Sequence, residues 1–141
     1  MGGKLTANIL IAEDSPAMRA LLVSALEFTG DYEIVEASSG FEALKQLPRK
    51  RFHLIITDIN MPDINGLELI HFVKNNESYK TIPLMVVTTE GRERDKQKGI
   101  ALGVDVYLVK PIDIDKFAEV VRRLVEKGIL DVPAVLETED R

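Results

Sequence analysis

The chain contains no cysteine. Disulfides, thiolate zinc sites and thiol nucleophiles are therefore excluded, and the composition fits a reducing compartment. Long hydrophobic runs are missing too. The opening MGGKLTANILIAED offers only NILIA before Glu13 and Asp14 interrupt it, so neither a signal peptide nor a membrane span is expected. Positive charge is scarce: 18 Lys and Arg stand against 23 Asp and Glu, a formal net charge of -5. With no basic excess to neutralise phosphates, DNA binding by this chain is not expected. Internal repeats and low-complexity tracts are also lacking. What remains is a chain of 141 residues, 45% hydrophobic and 29% charged. That is a common single-domain size, long enough to bury a core without staples.

A regular alternation runs through it. Five short apolar runs stand out: NILIA (8–12), YEIVEA (32–37), HLIIT (53–57), PLMVVT (83–88) and DVYLVK (105–110). Several are β-branched and nearly continuous in apolar character, the pattern of strands covered on both faces of a parallel sheet. The second run alternates, with Ile34 and Val35 between Glu33 and Glu36, and is placed at a sheet edge.

Helical spacing fills the gaps. Residues 15–30 open on Ser15 as N-cap and Pro16 at the first helical position, with Gly30 as the stop. Met18, Leu21, Leu22, Ala25 and Leu26 form the apolar stripe of that helix. A second helix is expected over 39–47, ending before Pro48. A third is expected over 65–76, where Leu67, Ile70 and Val73 share a stripe widened by Leu69 and Phe72. The fifth is expected over 114–128, ending at Gly128. Between them the fourth, roughly 90–102, has almost no apolar anchor before Ile100, Ala101 and Leu102 and is expected to be weakly held. Strand and helix alternating five times specify an α/β parallel sheet with right-handed crossovers.

In such sheets, ligands bind beyond the carboxyl ends of the strands, where strand order reverses. Glu13 and Asp14 end the first strand, Asp58 the third, Thr88 and Thr89 the fourth, and Lys110 the fifth. Each has an ordinary explanation alone. Asp14 suits a helix N-terminus, Asp58 a turn, Thr88 a strand, and Lys110 a snorkelling cation. Those explanations do not say why acids end strands one and three while a lysine ends strand five. Carboxylates about 4 Å apart repel by roughly 4 kcal/mol at an effective dielectric of 20, so three of them need a cation. A hard divalent ion with oxygen ligands fits, and Mg²⁺ is the usual one. Aspartate can act as a nucleophile and form an aspartyl phosphate, with Lys110 and Thr88 supplying a charge and a hydroxyl to the phosphoryl oxygens.

This ordered set resembles the receiver domain of two-component response regulators, most closely the single-domain, chemotaxis-type regulators. The resemblance is carried by Glu13–Asp14, DINMPDINGLEL around Asp58, Thr88 after an apolar strand, and Tyr107 with Lys110–Pro111; it covers about residues 7–127. It implies a flavodoxin-like, doubly wound (βα)5 fold with strand order 2-1-3-4-5. Asp58 would accept a phosphoryl group from the phosphohistidine of a sensor histidine kinase or phosphotransfer protein. Asp14, Asp58 and the backbone carbonyl of Asn60 would hold Mg²⁺, with Glu13 acting through a water. Thr88 and Lys110 would grip the phosphoryl oxygens, and the Lys110–Pro111 bond would be cis. On phosphorylation Thr88 would move and Tyr107 would rotate inward from an exposed position. The surface of helix four, strand five and helix five would then change for a downstream protein target. Gly66 fits the tight turn that opens the third helix.

Two positions depart from the common pattern. Glu13 stands where two aspartates are also frequent. Thr89 stands where many receivers carry Ala or Gly, and its bulk is expected to crowd the pocket. Asn60 and Glu90 flank the site and are expected to tune autodephosphorylation. A receiver of this kind is a cytoplasmic signalling switch, not an enzyme beyond its own phosphorylation and dephosphorylation. It is a monomer or a phosphorylation-dependent dimer.

Other readings fare less well. A haloacid-dehalogenase-type phosphatase wants a second aspartate two residues after the nucleophile, where this chain has Asn60. A flavodoxin-like FMN carrier needs a phosphate cradle where AEDSP places two negative charges. The remaining alternatives are a phosphate-independent binding module and a receiver fragment of a larger regulator. The expected division is an extension at 1–6, the receiver at 7–128, and a tail or linker start at 129–141 around Pro133.

Overall fold

The apolar runs fold as five parallel strands in one sheet, in the order β2-β1-β3-β4-β5. The computed structural model describes residues 6–126. Its strands are β1 Ala7–Ala12, β2 Tyr32–Ala37, β3 Leu54–Thr57, β4 Leu84–Thr88 and β5 Val106–Val109. The helices between and after them are α1 Pro16–Glu27, α2 Gly40–Gln46, α3 Gly66–Lys74, α4 Glu93–Leu102 and α5 Ile114–Glu126. This is the flavodoxin-like order expected from the sequence, with β2 at an edge.

Side chains of successive strand residues point to opposite faces, and the core divides accordingly. Leu10, Ile55, Val86 and Tyr107 pack with α2 and α3 on one face. Ile9, Ile11, Leu54, Ile56 and Val87 pack with α1 and α5 on the other. All of these strand residues are buried. Burial on both faces is why the runs read as continuous rather than alternating.

Local chemistry fixes the helix starts. Ser15 accepts from the Met18 amide, and Pro16 opens α1. Asn65 and Glu68 form a reciprocal capping box at α3. Gly66 is required there, because a Cβ would land on the Asp58 carbonyl.

Several expected details differ. Helix α1 ends at Glu27, with Phe28 as its C-cap, before Gly30 is reached. Leu21 is exposed, since the helix buries only Leu22 and Leu26 fully. Helix α2 stops at Gln46, and a single 3₁₀ turn, Leu47–Arg49, carries the chain through Pro48. Helix α3 buries Leu69, Ile70 and Val73, while Phe72 stays outside against the Tyr79 ring. Helix α4 starts at Glu93 with no side-chain cap, and its anchors are Lys96 and Gly99 rather than the exposed Ile100. Gly128 and the segment 129–141 lie outside the described residues. No described helix is long and apolar enough to cross a membrane.

Candidate functional site

Register brings the strand ends together. Ala12 is opposite Thr57, so Glu13 and Asp58 leave adjacent strands side by side. The Asp58 amide donates to the Ala12 carbonyl at 3.1 Å. Thr88 is opposite Val109, which places Lys110 one residue beyond.

Asp58 is buried and oriented. Its Oδ1 accepts from the amides of Ile59, at 2.6 Å, and Asn60, at 3.2 Å. Its Oδ2 accepts from the Lys110 ammonium at 3.0 Å. The same ammonium donates to Glu13 Oε1 at 3.0 Å. Glu13 Oε2 in turn accepts from the Ser15 amide at 3.0 Å. Asp14 lies exposed at the mouth, and each of the three acids offers one carboxylate oxygen within 4.8 Å of the others. The Lys110–Pro111 peptide is cis.

Burial pushes the Glu13 carboxyl up, against the opposing pull of the Ser15 amide and Lys110. For Lys110, burial works against the charge. The hydrogen bonds to Asp58 and Glu13 outweigh it, so its pKa is raised and the ammonium stays charged. One cation therefore faces three acids. The donor set is all hard oxygen, which suits a small divalent cation and not a soft one.

A second group of residues is built around Glu90. Its amide donates to the buried Thr88 hydroxyl at 3.2 Å. Its carboxylate accepts from the Asn60 side-chain amide at 2.8 Å and pairs with Arg92 at 3.5 Å. Its carbonyl accepts from the Tyr107 hydroxyl at 2.6 Å. Thr89 is exposed.

Tyr107 corrects an expectation. It was expected to start from an exposed position, yet it is 0% exposed and held inward. The reason lies in α4: Gly99 has no side chain, so the helix comes down onto the ring, where a Cβ would sit 3.3 Å away. Burial, with Asp95, Glu90 and Asp58 nearby, pushes the phenol up to about 12. The sequence reading passed over Gly99, although a glycine inside a helical pattern is itself a signal of close backbone approach. Asp63 was also passed over. Its carboxylate accepts from the Gly40 and Phe41 amides and ties the loop after Asp58 to α2. An acid within a turn-rich stretch gave no sequence signal for that partner.

Residues 9–122 match the family model of the response regulator receiver domain. Chemotaxis protein CheY1 of Helicobacter pylori is 36% identical over 105 residues, which is 74% of this chain and 85% of that protein. Sensor protein EvgS of Escherichia coli is 35% identical over 108 residues, or 77% of this chain, but the chain spans only 9% of EvgS. The solved structure of chemotaxis response regulator CheY4 of Vibrio cholerae aligns with a TM-score of 0.78 at 33% identity. That alignment covers 85% of this chain and 99% of that one. By this match, and by its strand order and acidic pocket, the chain belongs to the response regulator receiver domain family of two-component signalling.

Proposed function

We propose that the chain is a phosphoacceptor switch that takes a phosphoryl group onto Asp58 from the phosphohistidine of a sensor histidine kinase or phosphotransfer protein. The observation that carries this reading is the fixed carboxylate of Asp58. Two amides hold Oδ1, which turns Oδ2 toward Lys110 and the other acids. Oδ2 attacks phosphorus, the P–N bond to the donor imidazole breaks, and that nitrogen keeps the electron pair and takes up a proton. An acyl phosphate is left on Asp58. Reversal of the signal is attack of water on the same phosphorus, with the Asp58 O–P bond breaking.

Asp14, Asp58 and the Asn60 carbonyl would hold Mg²⁺, with Glu13 one water away. When bound, the ion would neutralise the phosphoryl oxygens and lower the repulsion met by an incoming anionic donor. Lys110 and Thr88 supply an ammonium and a hydroxyl to those oxygens. Thr89, Asn60 and Glu90 surround the approach of water, and Thr89 narrows it. The receiver occupies 7–128, with 1–6 and 129–141 flanking it, and works in the cytoplasm as a monomer or a phosphorylation-dependent dimer.

The output surface is α4, β5 and α5. Glu90 touches Thr88 through its amide and Tyr107 through its carbonyl. A pull on the Thr88 hydroxyl therefore reaches Tyr107, the ring beneath Gly99 of α4, through one residue. The phosphoryl group on Asp58 stabilises one of two arrangements of this segment, and a swing from 1:99 to 99:1 needs about 5.5 kcal/mol of preference. A downstream protein reads the result.

Phosphoramidate, whose P–N bond mimics phosphohistidine, tests this reading. With Mg²⁺, amide resonances of α4, β5 and α5 are expected to shift in the native chain and stay fixed in Asp58→Asn. Full phosphorylation with no change in that surface would contradict it and favour the phosphate-independent binding module.

A further inference from the structure

Arg19 lies at the amino end of α1, where the helix dipole favours acids over bases. Its contacts give the reason for a cation there. Its Nη1 donates to the backbone carbonyl of Glu13 at 2.6 Å. Its Nε donates to the Glu36 carboxylate at 3.1 Å. A guanidinium is planar and its donors point in fixed directions, so the two bonds together set its place. Glu36 belongs to β2 and stands opposite Ile11 of β1. The edge strand therefore aims the arginine, and the arginine holds the turn that leaves β1.

That turn carries two of the pocket's three acids. Glu13 is fixed on every side. Its amide donates to the Ala37 carbonyl at 3.0 Å, and its carboxylate accepts from the Ser15 amide and from Lys110. Asp14 is exposed, so packing does not fix it. Its direction depends on the peptide it grows from. The Glu13 carbonyl and the amide and Cα of Asp14 share one plane. A bond that holds the carbonyl holds that plane, and with it the root of the Asp14 side chain.

Charge alone gives no reason for this arrangement. A cation bonded beside the acids lowers their attraction for a divalent ion. Geometry supplies the reason. We propose that Arg19 is a positioning residue for the divalent-ion site: it holds the Glu13–Asp14 peptide so that the Asp14 carboxylate stays within reach of Asp58, and Glu36 holds Arg19 in place. This role rests on the reading of Asp14 and Asp58 as Mg²⁺ ligands. Arg19 touches neither the ion nor the phosphoryl group and acts through Asp14.

The test is Mg²⁺ affinity, read from the amide resonances of Asp14, Asp58 and Asn60 as the isotope-labelled full chain is titrated with Mg²⁺. Charge and positioning give opposite signs. An arginine acting by charge alone makes Arg19→Ala bind Mg²⁺ more tightly. An arginine that only ties α1 to β2 lowers the urea midpoint in that variant and leaves the affinity unchanged. Positioning makes the variant bind about tenfold more weakly, the loss typical when a partner that orients a metal ligand is removed. Arg19→Lys keeps the charge but not the fork, and a similar weakening is expected. It also serves if urea unfolding shows that Arg19→Ala does not fold. Unchanged or tighter binding in either folded variant overturns the proposal and leaves the Mg²⁺ reading standing. A native chain with no Mg²⁺-dependent shift at these amides overturns the Mg²⁺ reading, and the role of Arg19 with it.

Discussion

Lys110 is the residue on which the pocket's charge balance rests. It donates to Glu13 and to Asp58, both at 3.0 Å, and its side chain is 11% exposed. Lys110→Met leaves two buried carboxylates facing each other, and breaking a buried ion pair from one side costs about 3 kcal/mol. Urea unfolding is expected to show that loss without Mg²⁺ and a partial recovery with it. The pH dependence has a sign at each end. Glu13 holds its proton more tightly in the folded chain than its ordinary 4.5. Its ionisation therefore costs stability, and the cost is incurred as pH rises through the raised value. Glu13→Gln is expected to flatten that part of the curve. Tyr107 is pushed up from 10.0 to about 12. The folded chain keeps this proton after the unfolded chain has lost it, so stability falls between those two values. Ultraviolet titration should show the latest of the tyrosine transitions missing in Tyr107→Phe. At this scale the sequence was informative about the acids and the lysine, because strand ends in a parallel sheet can only emerge at one edge. It was silent about the inward Tyr107, whose burial depends on how closely α4, the helix before its strand, comes down at Gly99.

Helix α4 shows what hydrophobic pattern can and cannot reveal. Its lack of apolar residues marked it as weakly held, yet its contact with the sheet is made by the absence of a side chain at Gly99. Gly99→Ala gains up to about 1 kcal/mol in helix propensity. It also brings a Cβ to 3.3 Å from the Tyr107 ring, so the ring or the helix must give. The full gain is expected only in a Tyr107→Ala background, and a double-mutant cycle in urea measures the difference as a coupling energy. Equal effects in both backgrounds would remove Gly99 as the seat of the ring. The start of α3 has less freedom. Gly66→Ala places a Cβ on the Asp58 carbonyl, so the backbone at the acceptor must move. A loss of about 2 kcal/mol is expected, as for overpacking in a tight site, together with slower phosphorylation. The strands and the other helices were legible because their burial is two-sided or striped. Helix ends were less so: α1 stops at Glu27, and Gly30 lies beyond its cap, where a Cβ would meet the Tyr32 ring.

For the molecule as a whole, one edge of the sheet is acidic and the other carries an Arg-Lys-Arg run at residues 49–51. The acidic edge collects Glu13, Asp14 and Asp58 from two strands far apart in sequence. The strand-end rule alone put them on one edge; that β1 lies beside β3 was implied by the family resemblance and is seen in the β2-β1-β3-β4-β5 order. A groove at the amino edge was not legible, because it is lined by loop residues from 50 to 53 and 78 to 83 and by the end of α5. Those segments share no periodicity. The proposed function turns on Asp58 as the phosphoacceptor, served by the acids through a divalent ion. Intact-mass measurement after incubation with acetyl phosphate, with and without Mg²⁺, tests it most directly when Asp58→Ala is run alongside. A Mg²⁺-dependent gain of one phosphoryl group is expected in the native chain and none in the variant. No gain under any condition, or an equal gain in Asp58→Ala, would contradict it.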